Sequence, residues 1–225
     1  MTPSTRQPPV AALGHPPLAG MEARSRQVPD WMLGIFFLSG FAALVYQVVW
    51  QRSLFAIFGV NIESVTLVVT AFMLGLGLGS LAGGVLSRRG ADGLLLWFAA
   101  IELGIGIFGV VSLDLFARVG DATLGAPPLV TGLATFLLLL PPTLMMGSTL
   151  PLLVTFAVRR SRNVGRSVGL LYFVNTLGSA VAAFATVLFL MRALGQHGSV
   201  LAAAAFNAVV AATALVHHRR ARGAP

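Results

Sequence analysis

The chain has 225 residues, of which 56% are hydrophobic and 10% are charged, whereas an ordinary soluble domain carries about 25% charged residues. This composition nearly excludes a water-soluble protein. Cysteine is absent, which excludes disulfides, thiolate nucleophiles and cysteine-based metal sites.

The formal net charge is +8, and all 15 basic residues are arginines. They occur in short runs between apolar stretches. This distribution is typical of cytoplasmic loops that face anionic lipid headgroups, whereas nucleic-acid binding needs a basic face on a folded polar surface. The predicted partner is therefore the lipid bilayer and not a nucleic acid.

Residues 1–30 are rich in Pro, Gly, Ala and Arg and show no apolar period, which predicts a disordered cytoplasmic tail. Met21 opens a compact polar segment directly before the first apolar run. We therefore hypothesise that translation begins at Met21.

Six apolar segments follow, and each reaches the roughly 17–25 residues that a helix needs to span a bilayer. They are Trp31–Trp50, Ile62–Leu86, Leu94–Leu113, Leu129–Val158, Val168–Met191 and Ser199–Val216. The predicted fold is an all-α, polytopic membrane protein with a six-transmembrane-helix bundle over residues 31–216 and a basic cytoplasmic tail over residues 217–225.

The orientation of this bundle follows from its arginines. The amino tail, the second and fourth loops and the carboxyl tail hold 12 of the 15, whereas Arg52, Arg118 and Arg192 fall on the other side. Because cytoplasmic loops are enriched in arginine, we predict a bacterial inner-membrane protein with both termini in the cytoplasm.

The second segment carries small residues at every fourth position, which places them in one stripe along a helix. Such a stripe lets another backbone approach closely, so it is the predicted helix-packing face. Its members are Ala71, Gly75, Gly79 and Gly83.

The fourth segment contains three prolines, Pro141, Pro142 and Pro151. Proline removes a backbone donor and clashes with the preceding turn, which predicts a kink. Two interpretations stay open, a bent packing helix and a broken helix whose freed backbone groups line a ligand site.

Several polar residues on different segments share one predicted depth. At ~1.5 Å of rise per residue, Glu102 lies ~12 Å from the cytoplasmic boundary, and the others lie at ~10–15 Å. The others are Ser39, Ser148, Thr149, Asn175 and Asn207.

An ionised carboxylate at this depth costs at least ~2.5 kcal/mol at the helix centre. We therefore expect Glu102 to face the bundle interior with partners or to stay protonated, and Asn175 is the predicted partner. Hydrogen bonds that only lock helices together and a binding or proton-relay role both remain open.

Metal and catalytic sites have little support. The four histidines, His15, His197, His217 and His218, are predicted to lie in separate parts of the chain, so no three converge as ligands. The acids other than Glu102 fall at membrane edges or in loops, so no catalytic set and no cofactor are predicted for this chain by itself.

Five ordered motifs carry a family resemblance. They are SGFAALVYQVVWQRSL from Ser39, AFMLGLGLGSLAGG from Ala71, ELGIGIFG from Glu102, PPTLMMGSTLPLL from Pro141 and GRSVGLLYFVNTLGSAVAA from Gly165. Together they make residues 32–216 resemble the membrane half of bacterial membrane-bound spermidine-synthase-like proteins, which are described as fusions of a transporter-like segment with an aminopropyltransferase.

A weaker resemblance is to half of a major facilitator transporter, through glycines followed by Arg88 and Arg89. The acidic residue usual in that loop motif is displaced to Asp92. Six helices would have to dimerise to rebuild a two-lobed pathway.

In the fused family a soluble aminopropyl-transfer domain follows the last helix, whereas this sequence stops at Pro225. The resemblance therefore implies a membrane domain that scaffolds, or delivers substrate to, a separate cytoplasmic aminopropyltransferase-like partner in polyamine metabolism. The alternative is a small-solute, polyamine-like transporter acting as a homodimer, in which Glu102 pairs with a cationic substrate.

The predicted orientation can be tested with a reporter that is active only in the periplasm. Fused after Arg160, in the arginine-rich fourth loop, the reporter is expected to stay inactive because arginine-rich loops are retained in the cytoplasm. An active fusion at this position would overturn the orientation.

Overall fold

The computed structural model describes residues 27–58, 62–88 and 93–222, and the regular structure within these ranges is helical throughout. The elements are α1 (Asp30–Phe58), α2 (Ile62–Leu86), α3 (Leu94–Ala122), α4 (Pro128–Ser161), α5 (Val164–Ala185), a π-helical turn (Thr186–Leu190) and α6 (Met191–Arg222). Most of the predicted amino-terminal tail, including Met21, and the last residues, 223–225, lie outside the described residues.

Five helical stretches of the described chain are long and apolar enough to cross a membrane. They are Asp30–Ile57, Val65–Leu86, Leu94–Ala122, Pro128–Ser161 and Val164–Arg222. Their outer surfaces are also apolar, with Ile107 exposed by 68% and Phe184 by 70%. Large exposed apolar surfaces mark contact with a membrane or another protein, so the fold is typical of a multi-pass membrane protein.

The described chain has five membrane-length helical stretches, whereas the sequence predicts six separate helices. The predicted fifth and sixth helices belong to one helical stretch, Val164–Arg222. Inside this stretch the backbone leaves helical geometry at Gly195, with φ 65° and ψ −169°, a region that is essentially restricted to glycine. A loop was expected around Arg192 and His197 because these residues are polar, but the chain bends at a single glycine instead.

After the bend at Gly195 the chain runs back in the opposite direction, and both arms of this stretch pack against α1. Leu171 near the start of α5 and Ala214 near the end of α6 belong to the same buried cluster as Met32 in α1. The ring of His217 in α6 also stacks on Trp31 in α1, with ring centroids 3.9 Å apart. The end of α6 therefore returns to the side of the bundle where α1 begins.

The three prolines do not break α4. The helix runs from Pro128 to Ser161 with Pro141, Pro142 and Pro151 inside it, so the alternative of a broken helix is wrong. Helix α4 packs against α2 on both sides of Pro141 and Pro142, since a Cβ atom on Gly132 would meet the side chain of Leu67 and one on Gly147 would meet the backbone of Leu76.

The small-residue stripe of α2 lies against α4. A Cβ atom on Gly79 would collide with the carbonyl of Leu144, and one on Gly83 would meet the backbone of Ser148. On the opposing helix, a Cβ atom on Gly147 would collide with the carbonyl of Leu76. The two backbones therefore touch along this face, with Ala71 fully buried beside it.

Replacing Gly79 with alanine is expected to destabilise the protein by about 1–3 kcal/mol, the usual cost of forcing extra atoms into a packed interface. The matched control is Gly77→Ala on the same helix, because a Cβ atom there meets nothing within 4 Å. Thermal unfolding of both purified variants in one detergent measures the difference. Equal melting temperatures would contradict this account of the α2–α4 contact.

Candidate functional site

Glu102 lies at the centre of the buried face of α3. The residues Glu102, Gly106, Gly109 and Ser112 are all buried, and their spacing of three and four places them on one side of the helix. Glu102 itself is 0% exposed. Its carboxyl group is therefore shielded from both water and lipid by the surrounding helices.

Two neutral donors hold the carboxyl group. Ser39 Oγ on α1 donates to Oε1 at 2.6 Å, and Asn207 Nδ2 on α6 donates to Oε2 at 2.6 Å. Tyr46 on α1 extends the network, because its hydroxyl donates to Asn207 Oδ1 at 3.0 Å. This Glu102 network joins α1, α3 and α6 through side chains that are all buried.

The glycines of the ELGIGIFG motif make room for this network. A Cβ atom on Gly109 would lie 2.5 Å from the hydroxyl oxygen of Tyr46, and one on Gly106 would lie 3.3 Å from the Cβ atom of Asn207. The two glycines thus let Tyr46 and Asn207 approach the backbone of α3. The spacing of this motif has a direct structural role.

An aromatic layer continues the network away from Glu102. The ring of Tyr46 stacks on that of Trp50 with centroids 5.2 Å apart, and Trp50 Nε1 donates to Ser112 Oγ at 2.8 Å. The Ser112 hydroxyl in turn donates to the carbonyl of Gly109 at 2.6 Å. Each buried polar group in this layer therefore has a partner, as buried polar groups require.

The predicted pairing of Glu102 with Asn175 is wrong. Asn175 Nδ2 on α5 donates instead to the carbonyl of Phe36 at 3.2 Å. Helix α5 packs against α1, where Gly40 and Gly178 allow close contact with the partner backbone. The depth of a residue along its helix does not determine which face of the helix its side chain occupies, so Asn175 can lie on another helix face than the one that meets Glu102.

The two polar residues predicted on α4 have different surroundings. Ser148 donates to the carbonyl of Met145 and packs its backbone against Gly83. Thr149 donates to the carbonyl of Met146 and lines a cavity described next. Neither residue bonds to Glu102.

A cavity of about 260 Å³ lies between the helices beside the Glu102 network. All six helices contribute to its wall. Its polar lining residues are Ser39, Gln47, Ser80, Thr149, Tyr172, Asn175, Ser179 and Asn207. Of the polar residues predicted to share a level, only Glu102 and Ser148 are outside this lining.

Glu102 does not itself line the cavity, but its two hydrogen-bond donors, Ser39 and Asn207, do. Its carboxyl group is therefore separated from the cavity by these two side chains. Among the described lining residues none is acidic or basic. The cavity therefore has neutral hydrogen-bonding groups in its wall, and one carboxyl group lies directly behind two of them. No cluster of three metal-ligating side chains occurs within the described part of the chain.

Sequence reasoning missed Tyr46, Gln47 and Ser179. Tyr46 lies seven residues after Ser39, two helical turns along the same face, so the spacing of these two residues was an available signal. Gln47 was likewise visible as a polar residue inside an apolar run. For Ser179, which donates to the carbonyl of Gly40 at 3.0 Å, the sequence offered no clear signal.

Comparison with known proteins gives one distant similarity. The chain is 26% identical over 207 residues to polyamine aminopropyltransferase 1 of Streptomyces coelicolor, and the match covers 91% of this chain. The chain spans only 37% of the length of that curated relative. No family model matches the chain, and no solved structure matches it.

The similarity agrees in part with the resemblance drawn from the motifs, because both point to aminopropyltransferases. The chain is thus similar to part of a polyamine aminopropyltransferase, and, independently, its described helices are long and apolar enough to cross a membrane.

The hydrogen bond from Tyr46 predicts a difference between the two tyrosines of the chain. Tyr46→Phe is expected to lower stability by about 1 kcal/mol, because it leaves Asn207 Oδ1 without its buried donor. Tyr172→Phe is the matched control, since Tyr172 is 61% exposed. Chemical or thermal unfolding in detergent measures both, and equal stability of the two variants would show that the network contributes nothing.

Proposed function

We propose that this chain is an integral membrane domain that binds a small amine in its central cavity and delivers it to a separate aminopropyltransferase-like enzyme. The observation that carries the proposal is the buried Glu102 carboxyl group behind a neutral, polar cavity wall. The proposed setting is the bacterial inner membrane, with the chain crossing it six times and with both ends in the cytoplasm.

Six crossings are supported by the bend at Gly195. Measured from the Trp31–His217 contact, the distance along α6 back to Gln196 is ~32 Å at ~1.5 Å per residue, close to the ~30 Å of a hydrocarbon core. Helix α5 together with the π-helical turn is longer still. Each arm of the Val164–Arg222 stretch is therefore long enough for one crossing of its own.

The charge distribution around the cavity favours a cationic ligand. An ionised carboxylate in the hydrocarbon region costs about 2.5–3.5 kcal/mol, and among the described residues Glu102 has two neutral donors as partners. An ammonium group in the adjacent cavity would neutralise that charge. Oxygen atoms of Ser39, Asn175 and Asn207 at the wall can accept hydrogen bonds from the ammonium group.

The size of the cavity favours a small ligand. Its volume of about 260 Å³ lies just below the ~300–1,000 Å³ that is usual for drug-sized ligands. A short aliphatic diamine combines a cationic end for the polar wall with methylene groups for apolar lining residues such as Phe72 and Leu76. A nucleotide-sized cofactor would need more room.

Delivery to an enzyme is supported by the similarity to a polyamine aminopropyltransferase. The junction of α4 and α5 also presents a concentrated basic surface, on which four arginines are exposed. These are Arg159, Arg160, Arg162 and Arg166. A basic surface of this kind can attract an acidic partner protein.

A homodimeric transporter is the second candidate. It is favoured by the position of Ser80 on α2 and Tyr172 on α5, which line the cavity and are also exposed. If α2 and α5 face lipid, these polar groups open the cavity toward hydrocarbon. A second copy of the chain covering this opening would remove that exposure and complete a pathway.

The amine-binding proposal predicts that Glu102→Gln weakens binding of putrescine or spermidine at least tenfold, because it removes the negative charge while keeping the shape. The matched control is Asp114→Asn, which removes an exposed acid from the same helix. Scintillation proximity binding to the purified protein measures both variants, and thermal unfolding shows whether each is folded.

Unchanged amine binding by folded Glu102→Gln would contradict the proposal, as would an equal loss in Asp114→Asn. Uptake of the amine into proteoliposomes that hold only this chain would favour the transporter over delivery. Copurification of an aminopropyltransferase in mild detergent would favour delivery.

A further inference from the structure

A second groove lies at the opposite end of α1 from the Trp31–His217 contact. Its volume is about 860 Å³, and it is formed by the second half of α1, the π-helical turn and the start of α6. Two arginines, Arg52 and Arg192, line it together with Gln51 and Gln196. These are two of the three arginines that the sequence assigns to the minority side of the membrane.

The distance of this groove from the Trp31–His217 contact, measured along the helix axes, can be estimated separately on α1 and on α6. Arg52 lies ~32 Å along α1 from Trp31, and Gln196 lies ~32 Å along α6 from His217. Trp31 and His217 are stacked on each other. The two helix segments therefore start at the same position across the bundle, and because they are equally long, Arg52 and Gln196 lie at about the same position at the other end. This distance matches the ~30 Å of a hydrocarbon core, which places the groove at the boundary between hydrocarbon and headgroups.

The lining chemistry is amphipathic. Among the described residues that line the groove there is no acid, so the charges of Arg52 and Arg192 have no carboxylate beside them there. Two apolar residues of the same groove, Val48 and Val187, precede Arg52 and Arg192 by about one helical turn, on the side of the arginines toward the middle of the hydrocarbon core. The groove thus has a cationic part, Arg52 and Arg192, and an apolar part, Val48 and Val187, which lies nearer the middle of the membrane.

We propose that this groove binds an anionic phospholipid, with the headgroup phosphate held between Arg52 and Arg192 and an acyl chain packed along Val48 and Val187. A guanidinium group matches a phosphate by donating two parallel hydrogen bonds. Gln51 and Gln196 supply further neutral donors at the same level.

The source of the phosphate is a lipid because the groove combines a cationic part with an apolar part. A free phosphate ion would use only the cationic part and would leave the apolar part of the groove unfilled. A lipid fills both parts, and its phosphate is held by the bilayer at the height of the arginines.

Native mass spectrometry of the full chain in detergent tests the proposal, with phosphatidylglycerol and phosphatidylcholine of identical acyl chains as probes. Arg52→Gln and Arg192→Gln are each expected to lower retention of phosphatidylglycerol about tenfold, the usual effect of losing a hydrogen bond to a charged group. Arg118→Gln is the matched control, because Arg118 is exposed and does not line the groove.

Selective loss of phosphatidylglycerol in the two groove variants, with Arg118→Gln like the unmodified protein, would support the proposal. Equal retention in all variants would overturn it, and so would an equal loss in Arg118→Gln. Equal retention of both lipids by the unmodified protein would also overturn it, since the net negative charge of the headgroup would then not be recognised. Displacement of phosphatidylglycerol by millimolar inorganic phosphate would overturn it too, since a free phosphate would then suffice.

Discussion

The hydrogen bonds to the Glu102 carboxyl group are the constraint on which the centre of the bundle depends. An ionised carboxylate in hydrocarbon costs about 2.5–3.5 kcal/mol, and hydrogen bonds to a charged group return about 1.5–3 kcal/mol each. The two bonds from Ser39 and Asn207 are therefore of the size needed to offset the burial. Because these donors stand on α1 and α6, the carboxyl group fixes the relative positions of three helices.

That arrangement also explains the cavity. The two donors turn toward Glu102 from the cavity wall, and the close contacts at Gly106 and Gly109 bring Asn207 and Tyr46 against α3. The space left between the six helices is bordered in part by neutral polar groups. A bundle that existed only for packing would fill this space with apolar side chains, as protein interiors normally do, whereas here a cavity with a partly polar wall adjoins the buried acid.

Much of the fold follows from the sequence, because apolar length determines where helices can cross a membrane. The limits lie elsewhere. Depth counting placed Ser39, Asn207 and Asn175 near the level of Glu102, but only the first two contact it, since the order and rotation of helices depend on packing partners distant in sequence. The bend at Gly195 was also missed, because one glycine with a positive φ replaced the loop that its polar neighbours indicated.

We propose that an amine bound in the cavity pairs with the Glu102 carboxyl group and so changes its vibrational bands. Infrared difference spectroscopy of the reconstituted protein, recorded with and without putrescine, observes carboxyl groups directly. We predict a difference band in the carboxyl region that disappears in Glu102→Gln and persists in Asp114→Asn. A spectrum that putrescine leaves unchanged, or a band that survives in folded Glu102→Gln, would contradict the account.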